Sequence, residues 1–289
     1  MRSCQLVSRL LSAPFVITRT RVFSCLAFLL VALFSVSPVF AQAADDDDAA
    51  LSPAEPDYRV INLPTTLRLP KFKSSFELTH RFNGNLRNGD FGDQLGSLFG
   101  IDQGATMGFE FRFAPMRHVE LAVYRENYDR TIQIYGKWDV IHQNKAMPVS
   151  VSPVLSFEGG NNFRDRYAAS AGATISRQFA DTVAVYVVPM WASNITPFSL
   201  TTTQRAFYVG LGSRLRVRPT VYLSLEGSPR LMSNAPNSAE YAFAIEKRAG
   251  AHVFQLNFGN SQLSTFAQTA AGGLPGSLFM GFNLTRKFF

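Results

Sequence analysis

Residues 105–113 read Ala-Thr-Met-Gly-Phe-Glu-Phe-Arg-Phe, and their pattern is the clearest indication of the fold class. Its phenylalanines alternate with Glu110 and Arg112, so an apolar side chain stands at every second position. A period of two is that of a β-strand, whose successive side chains point to opposite faces. A strand with a full apolar face and a charged face needs different surroundings on its two sides, as in a membrane barrel.

The same alternation recurs along the chain and gives twelve candidate strands. Most of them run for about ten residues, the length that a tilted strand needs to cross a bilayer. The twelve alternating apolar sets begin at Phe76, Ala105, Val119, Ile132, Val149, Tyr167, Val183, Phe207, Val221, Tyr241, Phe254 and Leu278. The sequence therefore predicts an all-β fold, a transmembrane antiparallel up-and-down β-barrel of about 12 strands, over residues 72–289.

The connections between these candidate strands alternate in length. Longer loops are expected around 84–104, 126–129, 159–166, 192–203, 228–237 and 259–276, and shorter turns around 114–116, Asn144, Ala180, Pro219 and Arg248. Outer-membrane barrels have short periplasmic turns and longer loops outside. The pattern predicts that both ends of the barrel chain are periplasmic. It leaves open whether the loops 84–104 and 259–276 fold inward as plugs.

The first 43 residues have the composition of a targeting segment. Four arginines precede an apolar run over 22–36, and Ala41-Gln42-Ala43 supplies small residues after it. This order is that of a secretory signal peptide with its cleavage site. We predict a signal peptide over 1–43, cleavage after Ala43, and export to the outer membrane.

Removal of that segment changes the chemistry of the working chain. Both cysteines, Cys4 and Cys25, lie within it, so the mature chain has no thiol for a disulfide or a metal site. The formal charge of +7 loses four arginines and becomes +3. This modest charge argues against nucleic acid as a partner.

A polar stretch follows over residues 44–71. It opens with the acidic run 45–48 and continues through Pro53, Pro56, Pro64 and Pro70. Four consecutive carboxylates without a turn geometry do not preorganise a cation site, and such a charge run is usually solvated. We therefore expect an acidic, proline-rich periplasmic tail that is extended and solvated.

The end of the chain is an alternating strand that closes in Phe288 and Phe289. Outer-membrane barrels commonly end in this way, and the assembly machinery recognises the last strand. Phe289 is out of phase with the apolar set of Leu284 and Phe288. We expect these two phenylalanines to serve as the assembly signal. The expected partners are outer-membrane lipids, with the barrel-assembly machinery and periplasmic chaperones during biogenesis.

The barrel region resembles a known family. The resemblance is carried by segments 76–82, 98–102 with Gly108, 119–125, 135–137 and 148–152. They are similar to the membrane-bound β-barrel family of unknown function, and the likeness extends over the whole mature barrel. The resemblance implies an outer-membrane barrel without an established activity.

The charged face of the strands supplies the candidate site residues. The lumen-lining candidates are Glu77, Arg81, Glu110, Arg112, Arg214, Arg216 and Glu226. Side chains of both signs can line a water-filled channel, or pair across strands and fill a narrow barrel. Twelve strands lie between filled eight-stranded barrels and open porins, so the size of the barrel leaves both alternatives open.

Three arginines on one strand form a candidate anion site. Arg214, Arg216 and Arg218 stand at alternate positions, and such a stripe suits a carboxylate or a phosphate. The alternative is a charge cluster at the periplasmic side that pairs with carboxylates or touches lipid head groups.

The four histidines have no metal-ligand spacing, and we expect neither a metal nor a cofactor. His80 lies in the apolar phase near the expected outer end of the first strand, a place where an outer-membrane lipid hydrolase can hold a catalytic histidine. The sequence has no Gly-x-Ser-x-Gly elbow, and no serine stands out as its partner. We therefore assign no catalytic residue.

These observations favour a non-enzymatic channel, transport or structural component of the outer membrane. Two alternatives remain, an outer-membrane lipid hydrolase and a soluble periplasmic lipid-binding barrel. The apolar face that all twelve candidate strands share argues against the soluble alternative.

Overall fold

The computed structural model describes residues 53–195, 204–232 and 237–288. The predicted signal peptide, the acidic run 45–48 and Phe289 lie outside the described residues. The described strands are β1 Ser74–Asn85, β2 Ala105–Met116, β3 Val119–Glu126, β4 Ile132–Trp138, β5 Ser150–Gly159, β6 Asp165–Phe179, β7 Val183–Ala192, β8 Ala206–Arg218, β9 Val221–Ser228, β10 Arg230–Met232, β11 Glu240–Ala249, β12 His252–Gly259 and β13 Phe279–Phe288.

These strands form one closed antiparallel barrel. Each of β1 to β8 pairs with its neighbours along the chain, β1 also pairs with β13, and β8 also pairs with β9. The three residues of β10 pair with β8 beyond Pro229 and so continue the line of β9. Twelve full-length strands therefore close the barrel, which confirms the predicted fold.

Burial alternates along the strands as the period of two predicts. In β2 the side chains of Phe109 and Phe111 are about half exposed, at 48% and 50%, whereas Glu110 and Arg112 are buried. The outward face is apolar, as contact with lipid tails requires, and the charged side chains point into the lumen.

The connections mostly follow the predicted alternation of lengths. We call the end of the barrel with the long connections the long-loop end and the other the short-turn end; by the length rule the short-turn end is periplasmic. The connection 139–149 between β4 and β5 is an exception, because it lies at the short-turn end and is longer than the predicted turn around Asn144. Ile141 bridges to Val151 there, so pairing with β5 continues past the end of β4.

The described helices are short and lie in the long connections. They are α1 Phe91–Gly96, α2 Gly160–Phe163 and α3 Phe266–Ala271, with 3-10 turns at Ile101–Gln103 and Tyr128–Arg130. Asp90 caps α1 and Thr265 caps α3, each in a reciprocal capping box. No helix in the part of the chain that the structure describes is long and apolar enough to span a bilayer.

The segment before β1 does not lie in solvent. Residues 54–67 are almost entirely buried, and their partners belong to strands on all sides of the barrel. The segment therefore fills the lumen, and the expectation of a solvated, extended tail is wrong for these residues. The physical reason is that this stretch carries its own apolar side chains, Val60, Ile61 and Leu63, which lose contact with water only inside the barrel.

A second segment enters the lumen from the opposite end. Residues 260–271, between β12 and β13, are mostly buried, and they include α3. The loop 84–104 behaves differently, since most of its residues from Asn88 to Gln103 are partly or fully exposed. Only one of the two loops for which the sequence left the question open therefore folds inward.

Candidate functional site

The candidate site is the lumen and the two segments that occupy it. Residues 53–69, which we call the lumen hairpin, turn back on themselves between Val60 and Leu63. The Val60 amide donates to the Leu63 carbonyl at 2.8 Å, and the Thr65 amide donates to the Tyr58 carbonyl at 2.9 Å. The chain leaves the hairpin at the short-turn end and continues into β1. The hairpin is therefore inserted from the side that the connection lengths mark as periplasmic.

The tip of the hairpin is held by Glu226 on β9. Its carboxylate accepts the backbone amides of Ile61, Asn62 and Leu63 at 3.0 to 3.2 Å. The side-chain amide of Asn62 donates to Glu240 on β11 at 2.6 Å. Buried amides at a turn need acceptors, so these two wall carboxylates fix the position of the tip.

The centre of the lumen is occupied by the guanidinium of Arg59. It forms ion pairs with Glu77 on β1, at 3.6 Å, and with Glu110 on β2. Arg112 lies on the other side of the same carboxylates and contacts both of them. Two arginines thus share two carboxylates in a buried cluster, and one of the four groups belongs to the hairpin.

The base of the hairpin is held by cationic wall residues that donate to its carbonyl groups. Lys137 on β4 donates to the carbonyls of Thr65 and Leu67 at 3.2 and 2.9 Å. Lys287 on β13 donates to the carbonyl of Pro56 at 2.5 Å. Arg214 on β8 donates to the Arg59 carbonyl at 2.7 Å and pairs with Glu246 at 3.1 Å. Opposite walls of the barrel therefore hold the hairpin.

One side of the hairpin is apolar and packs on β7 and β8. Leu63 lies over Gly210, where a Cβ atom would come within 2.6 Å of the leucine Cδ2. Val60 lies over Gly212, where a Cβ atom would come within 3.3 Å of the valine Cγ2. Close approach explains glycine at Gly210, since a larger residue would displace Leu63. The hairpin is thus amphipathic, with one apolar and one polar contact surface.

The second segment is held by carboxylates at the long-loop end. Glu158 on β5 accepts the Thr265 hydroxyl at 2.8 Å, while Glu126 on β3 accepts the side-chain amide of Gln268. The ring of Phe266 packs edge-on against Tyr135 at a centroid distance of 5.3 Å. We call residues 260–271 the lumen loop. Wall carboxylates therefore hold the loop as well as the hairpin.

The hairpin and the loop meet inside the barrel. Arg59 donates through Nη1 to the carbonyl of Ser264 at 3.2 Å. Because the same guanidinium binds Glu110, the wall, the hairpin and the loop are joined at one side chain. Both inserted segments therefore occupy the lumen at this level.

The structure places six of the seven predicted lumen-lining residues in this network. Glu77, Arg81, Glu110, Arg112, Arg214 and Glu226 are each less than a tenth exposed, on the inward face. Arg81 donates to Asn62 and Asn283 at 3.0 and 2.7 Å. Arg216 differs, because it lies at the rim and donates to the Pro219 carbonyl at 3.1 Å.

The structure does not bring the three arginines of β8 into one anion stripe. Arg214 is buried and its donors are used by Glu246 and the hairpin. Arg216 caps the carbonyls of the β8–β9 turn and of Asp181, and Arg218 is exposed at the strand end. These differences follow from position along β8, since only Arg214 lies far enough from the short-turn end for its side chain to reach the lumen.

His80 lies on the outward face of β1. Its ring stacks on Phe282 at a centroid distance of 4.8 Å and an interplanar angle of 9°, and it also contacts Phe82. Its Nδ1 has no hydrogen-bond partner among the described residues. A catalytic base needs a hydrogen bond to the group it activates, and this packing supplies only aromatic contacts.

Several residues of the network were not predicted from the sequence. Arg59 and Asn62 lie in the segment that was expected to be solvated, and Glu126, Glu240 and Lys287 stand at strand ends where the alternation is weakest. A usable signal was present in Tyr58-Arg-Val-Ile-Asn-Leu63, which is too apolar for a solvated tail.

Burial changes the acid–base properties of the hairpin. Loss of hydration raises the pKa of the Glu55 carboxyl, and the nearby Arg214 guanidinium offsets part of that effect. The carboxyl accepts a hydrogen bond from Gln178 on β6 at 2.6 Å. No group of three or more His, Cys, Asp or Glu side chains within residues 53–195, 204–232 and 237–288 is arranged to hold a metal ion.

The barrel is similar to solved structures of outer-membrane proteins. The NanC porin aligns with a TM-score of 0.48 and 6% identity, over 75% of this chain and 100% of that chain. The Acinetobacter baumannii outer membrane protein Omp33 aligns with a TM-score of 0.40 and 10% identity, over 75% and 99%. A mutant of the Rh. blastica porin aligns with a TM-score of 0.35 and 13% identity, over 63% and 55%. Sequence identity to all three is low.

A family pattern matches most of the chain. No curated protein is significantly similar to the chain as a whole. Residues 57–288 match the family described as "Membrane bound beta barrel domain (DUF5777)". The match begins inside the lumen hairpin, so hairpin and barrel are parts of one domain. The chain belongs to this family of membrane-bound β-barrels, as its resemblance in the barrel segments predicted.

Proposed function

We propose that the protein is a non-enzymatic, porin-like channel of the outer membrane whose lumen is closed, in the state described, by the lumen hairpin and the lumen loop. A membrane-bound barrel with an even number of strands is the type found in the outer membrane. The proposed surroundings are outer-membrane lipids on the apolar outward face. The barrel-assembly machinery and periplasmic chaperones remain proposed partners in biogenesis.

One observation carries the proposal: the wall uses its charged groups to bind two inserted segments. Glu226, Lys137 and Glu158 make hydrogen bonds to the hairpin or the loop at 2.8 to 3.2 Å. In a barrel whose lumen side chains serve only to stabilise the fold, such side chains pair across neighbouring strands. Here, departure of the segments would leave a polar lumen that water can fill.

The contacts that close the lumen are of a reversible kind. A hydrogen bond inside a protein contributes about 0.5–1.5 kcal/mol net, because water replaces the lost partner. Lys137 and Glu226 would regain water on opening, whereas Val60 and Leu63 would lose their packing on β7 and β8. The closed state is therefore stable without being fixed by a covalent link.

Other functions fit the site less well. A purely structural barrel would keep both segments in place permanently, which is the outcome that the experiment below separates from a channel. His80 packs against two phenylalanine rings, which favours a packing role on the outward face over catalysis of hydrolysis. Membership of a membrane-bound family argues against a soluble lipid-binding barrel.

A reversible lock tests the proposal in planar bilayers. Val60→Cys and Gly212→Cys would place two thiols where a Cβ at Gly212 lies 3.3 Å from the Val60 side chain. The atom in contact is Cγ2 of Val60, whose place a cysteine sulfur can take, so the two sulfurs come within reach of a disulfide. The predicted mature chain has no other cysteine, so the bond can form only there. We expect openings in the wild type and in the reduced double variant, and none after oxidation.

Two controls are needed to interpret a bilayer recording without channel openings. Each single variant must open normally under oxidising conditions, and heat-dependent gel migration must show that every variant is folded. Openings of normal frequency in the locked protein would show that current bypasses the lumen. A folded wild type and a folded, reduced double variant that never conduct would refute the channel and favour a structural role.

A further inference from the structure

We infer that the open lumen selects cations, and that its solutes are small cations with an ammonium or guanidinium group. This inference rests on the proposed channel function and names the class of solute that the channel would pass. It is carried by the charges of the wall, by the position of Arg59 between wall carboxylates, and by buried oxygen atoms that have no hydrogen-bond partner.

The buried wall carries more carboxylates than cations. The buried acidic side chains of the strands are Glu77, Glu110, Glu120, Glu126, Glu158, Glu226, Glu240 and Glu246, and the buried cationic ones are Arg81, Arg112, Lys137, Arg214 and Lys287. Eight carboxylates against five cationic groups leave a net charge of −3 when all are ionised. In a hydrated lumen near neutral pH, carboxylates and these cationic groups are ionised.

The excess negative charge lies in the half of the lumen near the long-loop end. Glu126, Glu158, Glu226 and Glu240 stand toward that end of their strands, with Arg81 as the cation among them. The remaining four carboxylates and four cations balance one another nearer the short-turn end. A solute that enters from outside would therefore meet an acidic vestibule, which concentrates cations and repels anions.

Arg59 shows what kind of group this lumen holds. Its guanidinium is 2% exposed and sits between Glu77 and Glu110, while Nη1 donates to the Ser264 carbonyl at 3.2 Å. The chain itself thus fills the lumen with a guanidinium that leaves when the hairpin leaves. A soluble cation of the same chemistry would find the same acceptors vacant.

Two buried oxygens support a donor-bearing solute. Oε1 of Glu77 and the hydroxyl of Tyr208 have no hydrogen-bond partner among the described residues, although both side chains are at least 97% buried. Glu77 lies in the Arg59 cluster, and Tyr208 lies within electrostatic reach of Glu240, Glu226 and Glu158. The unmatched Glu77 oxygen accepts and does not donate when ionised, so it favours a ligand that donates hydrogen bonds and carries positive charge, and the Tyr208 hydroxyl can accept from such a ligand.

Reversal potentials of single openings test the inference. Mature, full-length protein is placed in a bilayer with a potassium chloride gradient, and then in equal concentrations of potassium chloride and guanidinium chloride below denaturing strength. We expect a cation-over-anion permeability ratio several-fold above one, and guanidinium that permeates as well as potassium. Glu226→Gln with Glu240→Gln should lower that ratio by at least half. Arg218→Gln, at the exposed rim, is the matched control and should leave it unchanged.

The outcomes separate the inference from the proposed function. Absence of openings in folded protein would contradict the channel itself. Openings with anion preference, or a ratio that the double Glu variant does not change, would keep the channel and overturn the cation lumen. A ratio that changes with Arg218→Gln as much as with the double Glu variant would also overturn it, because selectivity would then arise at the rim.

Discussion

The guanidinium of Arg59 donates a hydrogen bond to the carbonyl of Ser264 at 3.2 Å, and it thereby joins the segment inserted from the short-turn end to the one inserted from the long-loop end. The same group is paired with Glu110 on the wall. A change on one side of the membrane can therefore reach the other through a single side chain. The lumen hairpin and the lumen loop should loosen together.

Replacement of Arg59 should open the channel. In Arg59→Gln, Glu77 and Glu110 lose one of the two guanidinium groups that neutralise them. Breaking a buried ion pair costs about 3 kcal/mol or more. Since about 1.4 kcal/mol corresponds to a tenfold change, we expect openings about a hundredfold more frequent. Single-channel recording of the folded variant measures this frequency.

The joint loosening has its own readout. In Arg59→Gln, hydrogen exchange should become faster in the hairpin amides of 58–65 and also in the loop amides of 264–268. Lys71→Gln is the matched control, because Lys71 is exposed and lies in the segment that connects the lumen hairpin to β1. Faster exchange confined to the hairpin would show that the two segments move independently.

The cap of α3 should control the lumen loop. Thr265 accepts the Gln268 amide and donates its hydroxyl to Glu158 at 2.8 Å. Loss of a helix N-cap costs about 1 kcal/mol, so Thr265→Ala should speed hydrogen exchange of α3 about fivefold. Gln262→Ala, in the same loop, should have no such effect. Unchanged exchange in Thr265→Ala would mean that the contacts of Phe266 with Tyr135 and of Gln268 with Glu126 hold the loop without the cap.

The fold was predictable because one physical rule governs nearly every strand. Side chains in a membrane barrel face lipid or lumen alternately. The environments of Phe109 and Glu110 can therefore be predicted from their positions in the strand, without information on neighbouring strands. The turn around Asn144 was predicted too short, because the bridge between Ile141 and Val151 is made without the alternating apolar pattern on which the prediction relied.

The lumen contents were not predictable in the same way. Whether Arg59 is solvated or buried depends on Glu77 and Glu110, which reach it from two strands through tertiary contacts. Period-two alternation carries no information on such contacts, and the neighbouring prolines favoured an open tail. The arginines of β8 share one phase, but depth separates the buried Arg214 from the exposed Arg218.

The acid–base state of Glu55 should influence closure. Burial raises its pKa above the usual value of about 4.5, so the closed state holds the proton more tightly than the open state. Closure is therefore favoured at low pH, and this contribution is lost as pH rises from about 4.5 through the raised pKa. Glu55→Gln should make the open probability less dependent on pH over that interval. An unchanged pH profile in Glu55→Gln would assign the dependence to other groups.

A larger residue at Gly210 should expel the hairpin without harming the barrel. A Cβ there would lie 2.6 Å from Cδ2 of Leu63 and 3.2 Å from Cβ of Val188, so Gly210→Val overpacks the apolar contact of the hairpin. Overpacking costs about 1–3 kcal/mol, which corresponds to openings several-fold to about a hundredfold more frequent. Leu63→Ala in the same chain removes the clashing atoms and should restore closure. If the double variant opens as often as Gly210→Val alone, the damage lies in the β7–β8 wall and not in the hairpin.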